Sequence, residues 1–135
     1  MSSWRMSRTF PGTAISILEA RRFITSHIRR WPENEEAVLI VSELATNAVR
    51  HSRSGRPGGQ FVVSLGFEGL SLGLSVLDEG GPGIPHLVHP SPTQPGGRGL
   101  ALVSDLSANW GVAGNDTGHS VWAILNVSPS QAVEW

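Results

Sequence analysis

Gln60–Asp78 reads QFVVSLGFEGLSLGLSVLD, and the alternation in this stretch decides the fold. It divides into two strands, 60–67 and 70–78, joined across Glu68-Gly69 in a tight hairpin. A hairpin is antiparallel by construction, so a sheet grown from it starts antiparallel. Strand side chains alternate between faces, which puts Leu70, Leu72, Leu74, Val76 and Asp78 on one face and Ser71, Gly73 and Ser75 on the other.

Upstream of the hairpin the period changes to that of helices. Ile17, Ala20, Ile24, Ile28 and Trp31 recur at helical spacing, with Arg21, Arg22, Arg29 and Arg30 off the stripe. Ser16 with Glu19 forms one possible capping box and Thr13 an equally good cap; Pro32 stops the helix. A second helix is expected from Asn34 to Ser52, with Glu35 and Glu36 in its first turn where the dipole favours negative charge. A weak strand over Trp4–Thr9 opens the chain and Pro11-Gly12 ends it. Downstream, periodicity vanishes from Gly80 to Gly99, a stretch holding five of the nine prolines and six glycines. Gly99 opens a short third helix to about Ala108, and a closing hairpin pairs Trp110–Ala113 with Ser120–Val127. The order predicts one α+β domain over residues 1–135, a two-layer sandwich with three helices on one face of a mixed, largely antiparallel sheet.

Composition narrows the chemistry. There is no cysteine, which excludes disulfides, thiol nucleophiles and cysteine-ligated metals. All ten basic residues are arginine, so lysine-dependent phosphate loops and Schiff bases are excluded as well. A net charge of −1 argues against a direct nucleic-acid partner. No stretch approaches the length of an apolar membrane span and the first ten residues carry no signal-peptide core, which predicts a cytoplasmic protein with no membrane partner.

Three constellations remain. Glu43, Asn47, Arg50 and His51 lie along one strip of the second helix. Such a strip is either a solvated face or a carboxylate and a carboxamide oxygen held at fixed separation, suited to Mg²⁺ and to proton transfer. Asp78 extends an apolar row just before a glycine-rich turn, and a buried unpaired charge is costly. It either turns to cap the Gly80-Gly81 backbone or awaits a ligand donor such as the exocyclic amine of adenine. Gly96-Gly97-Arg98-Gly99-Leu100 runs into a helix, and glycine-rich helix starts offer backbone amides to anions. His86 and His89 lack further ligands at sensible spacing, and His27 and His119 stand without context.

Taken in order, the three constellations are more specific than any one of them. Glu43-Leu44-Ala45-Thr46-Asn47-Ala48-Val49-Arg50-His51 resembles the N box of the histidine-kinase-like ATPase superfamily, Asp78-Glu79-Gly80 its first glycine box, and Gly97-Arg98-Gly99-Leu100 its second. The short length, the paired N-terminal helices and Ser120-Val121-Trp122 look like its stand-alone anti-sigma factor serine/threonine kinases, over roughly Phe10 to Val127.

The resemblance implies the histidine-kinase-like ATPase fold and a cofactor pair, ATP and Mg²⁺. It implies Asn47 as the Mg²⁺ ligand and Glu43 as the catalytic base for a serine or threonine hydroxyl. It implies Asp78 on adenine and Gly80, Gly83, Arg98, Gly99 and Leu100 along the nucleotide, with Arg50 and His51 of the N box beside it. Ser120 stands where relatives often place a threonine near the base, and 84–95 would be the ATP lid. The implied partners are a sigma factor and an anti-sigma-factor antagonist, the latter phosphorylated in a partner-switching system, and the implied assembly is a homodimer. The first box departs from Asp-x-Gly-x-Gly: Pro82 takes the fifth position and the glycine arrives at Gly83. Proline fixes φ and offers no N–H. That departure keeps open a catalytically silent nucleotide-binding module that sequesters its partner.

Overall fold

The computed structural model describes residues 3–81 and 95–127, with backbone alone over 95–100. Strand β1 (Trp4–Pro11) leads into helix α1 (Ala14–Ile28) and helix α2 (Asn34–His51). A single 3-10 turn over Arg53–Gly55 connects α2 to strands β2 (Gln60–Glu68) and β3 (Ser71–Asp78). Helix α3 (Pro95–Leu106) and strands β4 (Asn109–Asn115) and β5 (Gly118–Asn126) complete the described chain.

The sheet runs β1-β2-β3-β5-β4, and all four pairings are antiparallel. The mixed character expected from sequence is absent among the described strands, for a topological reason. After α3 the chain lays down β4 and then reverses, and it is the reversed strand, β5, that pairs with β3. Both hairpin turns sit one or two residues from their expected places: Glu68 still pairs with Ser71, and Asn115 with Gly118.

One face of the sheet carries the core. Phe61, Val63, Leu65 and Phe67 of β2, Leu72, Leu74 and Val76 of β3, and Val121, Ala123 and Leu125 of β5 are all buried. Helix α2 is the keystone, packing on α1, α3 and the central strands. Its buried stripe is Ala37, Ile40, Val41, Leu44, Ala45 and Ala48. Helix α1 contributes Ala20, Ile24 and Ile28, as the spacing predicts. Burial of each large aliphatic side chain contributes about 1.5–3 kcal/mol, so this face drives the assembly of the layers.

Two local expectations change. Thr13 is the N-cap of α1, its Oγ1 accepting from the Ser16 N–H at 3.3 Å, so the Ser16–Glu19 capping box does not form. Glu19 instead approaches Arg8 at 4.0 Å. The helix also ends at Ile28, before Trp31. The Trp31 N–H donates to the Ile28 carbonyl and Asn34 Nδ2 donates to the Arg29 carbonyl at 3.3 Å, so this turn serves the helix's orphan carbonyls. Trp31 is thereby folded back into the core, 5.1 Å from Phe67 between ring centroids. Burial of its indole outweighs one more helical turn.

Candidate functional site

The two halves of the sequence that carry polar constellations meet at one end of the sheet. Helix α2 ends at His51, and Ser52 caps both directions: its Oγ donates to the Ala48 carbonyl and accepts from the Ser54 N–H. The chain then turns under the end of β3. The Arg53 N–H donates to the Gly80 carbonyl at 2.7 Å. Ser54, fully buried, accepts from the Glu79 N–H through Oγ at 3.0 Å. Arg53 also donates through its guanidinium to the Asp116 carbonyl in the β4–β5 turn. Three loops from distant sequence are thus tied together by backbone-directed bonds.

Gly80 is the residue that makes this closure possible. Its φ is +76°, and a Cβ there would stand 2.2 Å from the Asp116 carbonyl oxygen. No other residue type fits both conditions.

Asp78 sits in the buried row that the strand phase predicts, with its side chain 9% exposed. Its Oδ1 accepts from the Gly80 N–H at 2.7 Å and from the His119 N–H at 3.2 Å. The capping role is therefore real. It also engages a side chain that sequence reading left without context: His119 Nδ1 lies 3.3 Å from the same oxygen, and the His119 side chain is 5% exposed. His119 pairs with Asp78 across the β3–β5 ladder. Its signal was present in the sequence, because the alternation that buries Val121, Ala123 and Leu125 places His119 in the same row.

Ser120 is not brought to this site. It pairs with Leu77 on the opposite face of the sheet, where it lines a trough of about 790 Å³ with Ser64, Gly73, Ser75 and Trp122. With side chains alternating every residue, one position along β5 moves a group through the sheet, and His119 occupies the place beside Asp78.

Along α2, Glu43 and Asn47 are half-buried and Arg50 and His51 exposed. Among the described residues, no hydrogen bond or ion pair engages the Glu43 carboxylate or the Asn47 amide. Gly81 runs beside the end of this helix, near the His51 carbonyl. The Asn47 carboxamide oxygen, held on a helix, is of the type a hard cation takes.

Arg98, Gly99 and Leu100 lie inside α3, whose backbone is helical from Pro95 rather than from Gly99. Proline at a first helical position has its φ preset and no N–H to satisfy. The amides left without intrahelical partners are then those of Gly96, Gly97 and Arg98. Pro82, Gly83 and the expected lid as far as residue 94 fall outside the described residues.

The family described as the Histidine kinase-like ATPase domain matches residues 10–125. No curated protein sequence matches the chain. Among solved structures, the chain is similar to the RsbU and RsbW domains of Rv1364c from Mycobacterium tuberculosis, with a TM-score of 0.71 and 16% identity over 92% of this chain and 32% of that one. It therefore spans about a third of that chain. It is similar to a chain of the SiaB–SiaC complex from Pseudomonas aeruginosa, with a TM-score of 0.65 and 13% identity, covering 89% and 88% of the two chains. A third likeness is to the histidine kinase domain of a blue-light activated histidine kinase from Erythrobacter litoralis EL346, with a TM-score of 0.52 and 31% identity over 74% of this chain and 47% of that one. At 13% and 16% identity the first two likenesses show a shared fold. No helix among the described residues is long and apolar enough to cross a membrane.

Proposed function

The chain belongs to the histidine kinase-like ATPase family, and from that premise we propose that it is an ATP-dependent serine/threonine protein kinase acting as an anti-sigma regulatory factor. Its substrate on this reading is an anti-sigma-factor antagonist, and its second partner a sigma factor, so that transcription is regulated by partner switching in the cytoplasm. The observation that carries the reading is the joining of the α2 end to the turn after Asp78, through the Arg53–Gly80 bond. That joint holds the C-terminal end of α2, which carries Arg50 and His51, against the turn after Asp78. Likeness to a chain crystallised with a protein partner, the SiaB–SiaC complex, supports a protein partner.

The roles follow from the chemistry of each group. Asp78 uses Oδ1 for the backbone, and its Oδ2 would accept from the exocyclic amine of adenine. The amides at the start of α3, with Arg98, would bind the phosphates, and Arg50 and His51 would flank them from the end of α2. Asn47 would hold Mg²⁺, which supplies charge neutralisation of the triphosphate when bound. The hydroxyl oxygen of a substrate serine or threonine attacks the γ-phosphorus, the bond to the β–γ bridging oxygen breaks, and ADP leaves. Glu43 accepts the hydroxyl proton.

A homodimer is part of this reading. The sheet face opposite the helices carries the trough of about 790 Å³, lined by Ser64, Ser71, Ser75 and Ser120 together with Trp4, Trp122 and Ile124, and an antiparallel sheet tolerates such a face when it is polar or paired.

The test is recovery of partners on the tagged protein from its native lysate, followed by transfer of radiolabel from ATP. Label on a serine or threonine of the partner, lost in Glu43→Ala while ATP binding persists, supports the kinase. A stable partner that never takes up label supports a silent nucleotide-binding module instead. Pro82, in place of the box glycine, is the feature that favours this second reading.

A further inference from the structure

We propose that His119 is a positioning residue of this site, holding the Asp78 carboxylate in the orientation that presents Oδ2 to the amino group of a nucleobase. The inference rests on the nucleotide-site reading above and adds a residue to it.

Both groups are almost wholly enclosed, with side chains 5% and 9% exposed, so their geometry is set by the protein rather than by water. Two atoms of His119 converge on Asp78 Oδ1: the backbone N–H at 3.2 Å and ring Nδ1 at 3.3 Å. With the Gly80 N–H at 2.7 Å, three nitrogens bracket one carboxylate oxygen. A carboxylate oxygen only accepts, so a ring hydrogen on Nδ1 is the arrangement that makes this contact favourable. Pinning one oxygen in this way fixes the plane of the carboxylate and with it the direction of the other. A base amine read by a single acceptor needs that direction defined, because hydrogen bonds weaken steeply off axis.

Apolar packing alone does not explain a histidine at this position. The three positions that follow it on the same face are Val121, Ala123 and Leu125. Histidine brings Nε2 into the interior, where it is buried without a hydrogen-bond partner among the described residues. An unmet buried polar atom is destabilising, so an apolar residue suits the core better at this position. What the imidazole adds is its Nδ1 contact with Asp78.

The test separates the two ring nitrogens. The shorter amide of His119→Asn mimics Nδ1 and the longer amide of His119→Gln mimics Nε2. These two variants and His119→Leu are compared by calorimetric titration with ATP and with ITP, each with Mg²⁺. ITP carries an oxo group where ATP carries the amine. His119→Gln and His119→Leu are expected to weaken ATP binding by about tenfold, the size of one lost hydrogen bond, and to narrow the preference for ATP over ITP. His119→Asn is expected to restore both. Equal ATP affinity and preference in His119→Leu and wild type would overturn the inference, as would an Asn variant no better than Gln. Nitrogen NMR of the wild-type ring needs no substitution: Nδ1 should be protonated and its resonance should move when ATP and Mg²⁺ are added. An Nδ1 signal unmoved by a nucleotide that binds counts against the role. Failure of the wild-type protein to bind ATP at all is a separate result, which removes the nucleotide-site reading and this inference together.

Discussion

His119 stands directly opposite Asp78 in the β3–β5 ladder, and through backbone N–H and ring Nδ1 it meets the carboxylate oxygen that also receives the Gly80 N–H. Asp78 is thus a structural cap and a candidate ligand acceptor at once, one oxygen for each task. Substitutions that treat the two oxygens differently separate the tasks.

Asp78→Asn keeps a carbonyl-type acceptor for the two backbone N–H groups and places an amide NH₂ where Oδ2 was. The fold is expected to stay within about 1 kcal/mol of wild type, because both N–H groups remain bonded. ATP binding, measured calorimetrically, should be lost, since a donor then faces the donor of adenine. Asp78→Ala removes the acceptor altogether and strands two backbone N–H groups, an expected loss of roughly 2–4 kcal/mol in urea denaturation.

Gly80→Ala combines a left-handed φ with a collision against the Asp116 carbonyl. The expected destabilisation exceeds about 2 kcal/mol, since left-handed backbone alone costs about 1–2 kcal/mol for a residue with a Cβ. Gly58 is the matched control: its φ is +82° but nothing lies within 4 Å of an added Cβ. Thermal melts of the two alanine variants should therefore differ, with Gly80→Ala the lower. Equal melting temperatures would show that the loop junction yields without cost.

Glu43→Gln preserves the size of a half-buried side chain on α2 while removing its basicity. Phosphoryl transfer to the partner should fall by about 10²–10⁴-fold, the usual contribution of a general base. ATP affinity should be unchanged. Asn47→Ala is expected to show the opposite division, with Mg²⁺-dependent ATP binding abolished in the same titration.

Ser75→Arg places a charged, long side chain in the trough of the helix-free sheet face. Sedimentation should then show dissociation of the proposed homodimer with ATP affinity retained. A variant that sediments as the wild type does would relocate the subunit contact to another surface.

Much of this protein is legible in its sequence because the relevant signals are local. The period-two alternation of Leu72, Leu74 and Val76 set the sheet face and put Asp78 in the buried row. The helical spacing of Ala20, Ile24 and Ile28 set α1 and its buried stripe, and that of Ala37, Val41, Leu44, Ala45, Ala48 and Val49 set the apolar side of α2, of which Val49 is only half-buried. Spacing along α2 also placed Glu43 and Asn47 one turn apart.

Tertiary structure decided what depends on which chain segments meet. The pairing of β5 rather than β4 with β3 is a choice between two geometries that the alternation permits equally, and it made every strand pair antiparallel. Its register then brought His119 to Asp78 and sent Ser120 to the far face, a difference of one residue in a structure whose side chains reverse at each step. The start of α3 at Pro95 and the retreat of Trp31 from α1 into the core were likewise set against local pattern. Helix ends are balances of a kcal/mol or so in propensity and capping, about the size of the burial and backbone terms that tertiary contacts supply. Sequence alone determined the faces; long-range pairing determined which polar groups on those faces share a site.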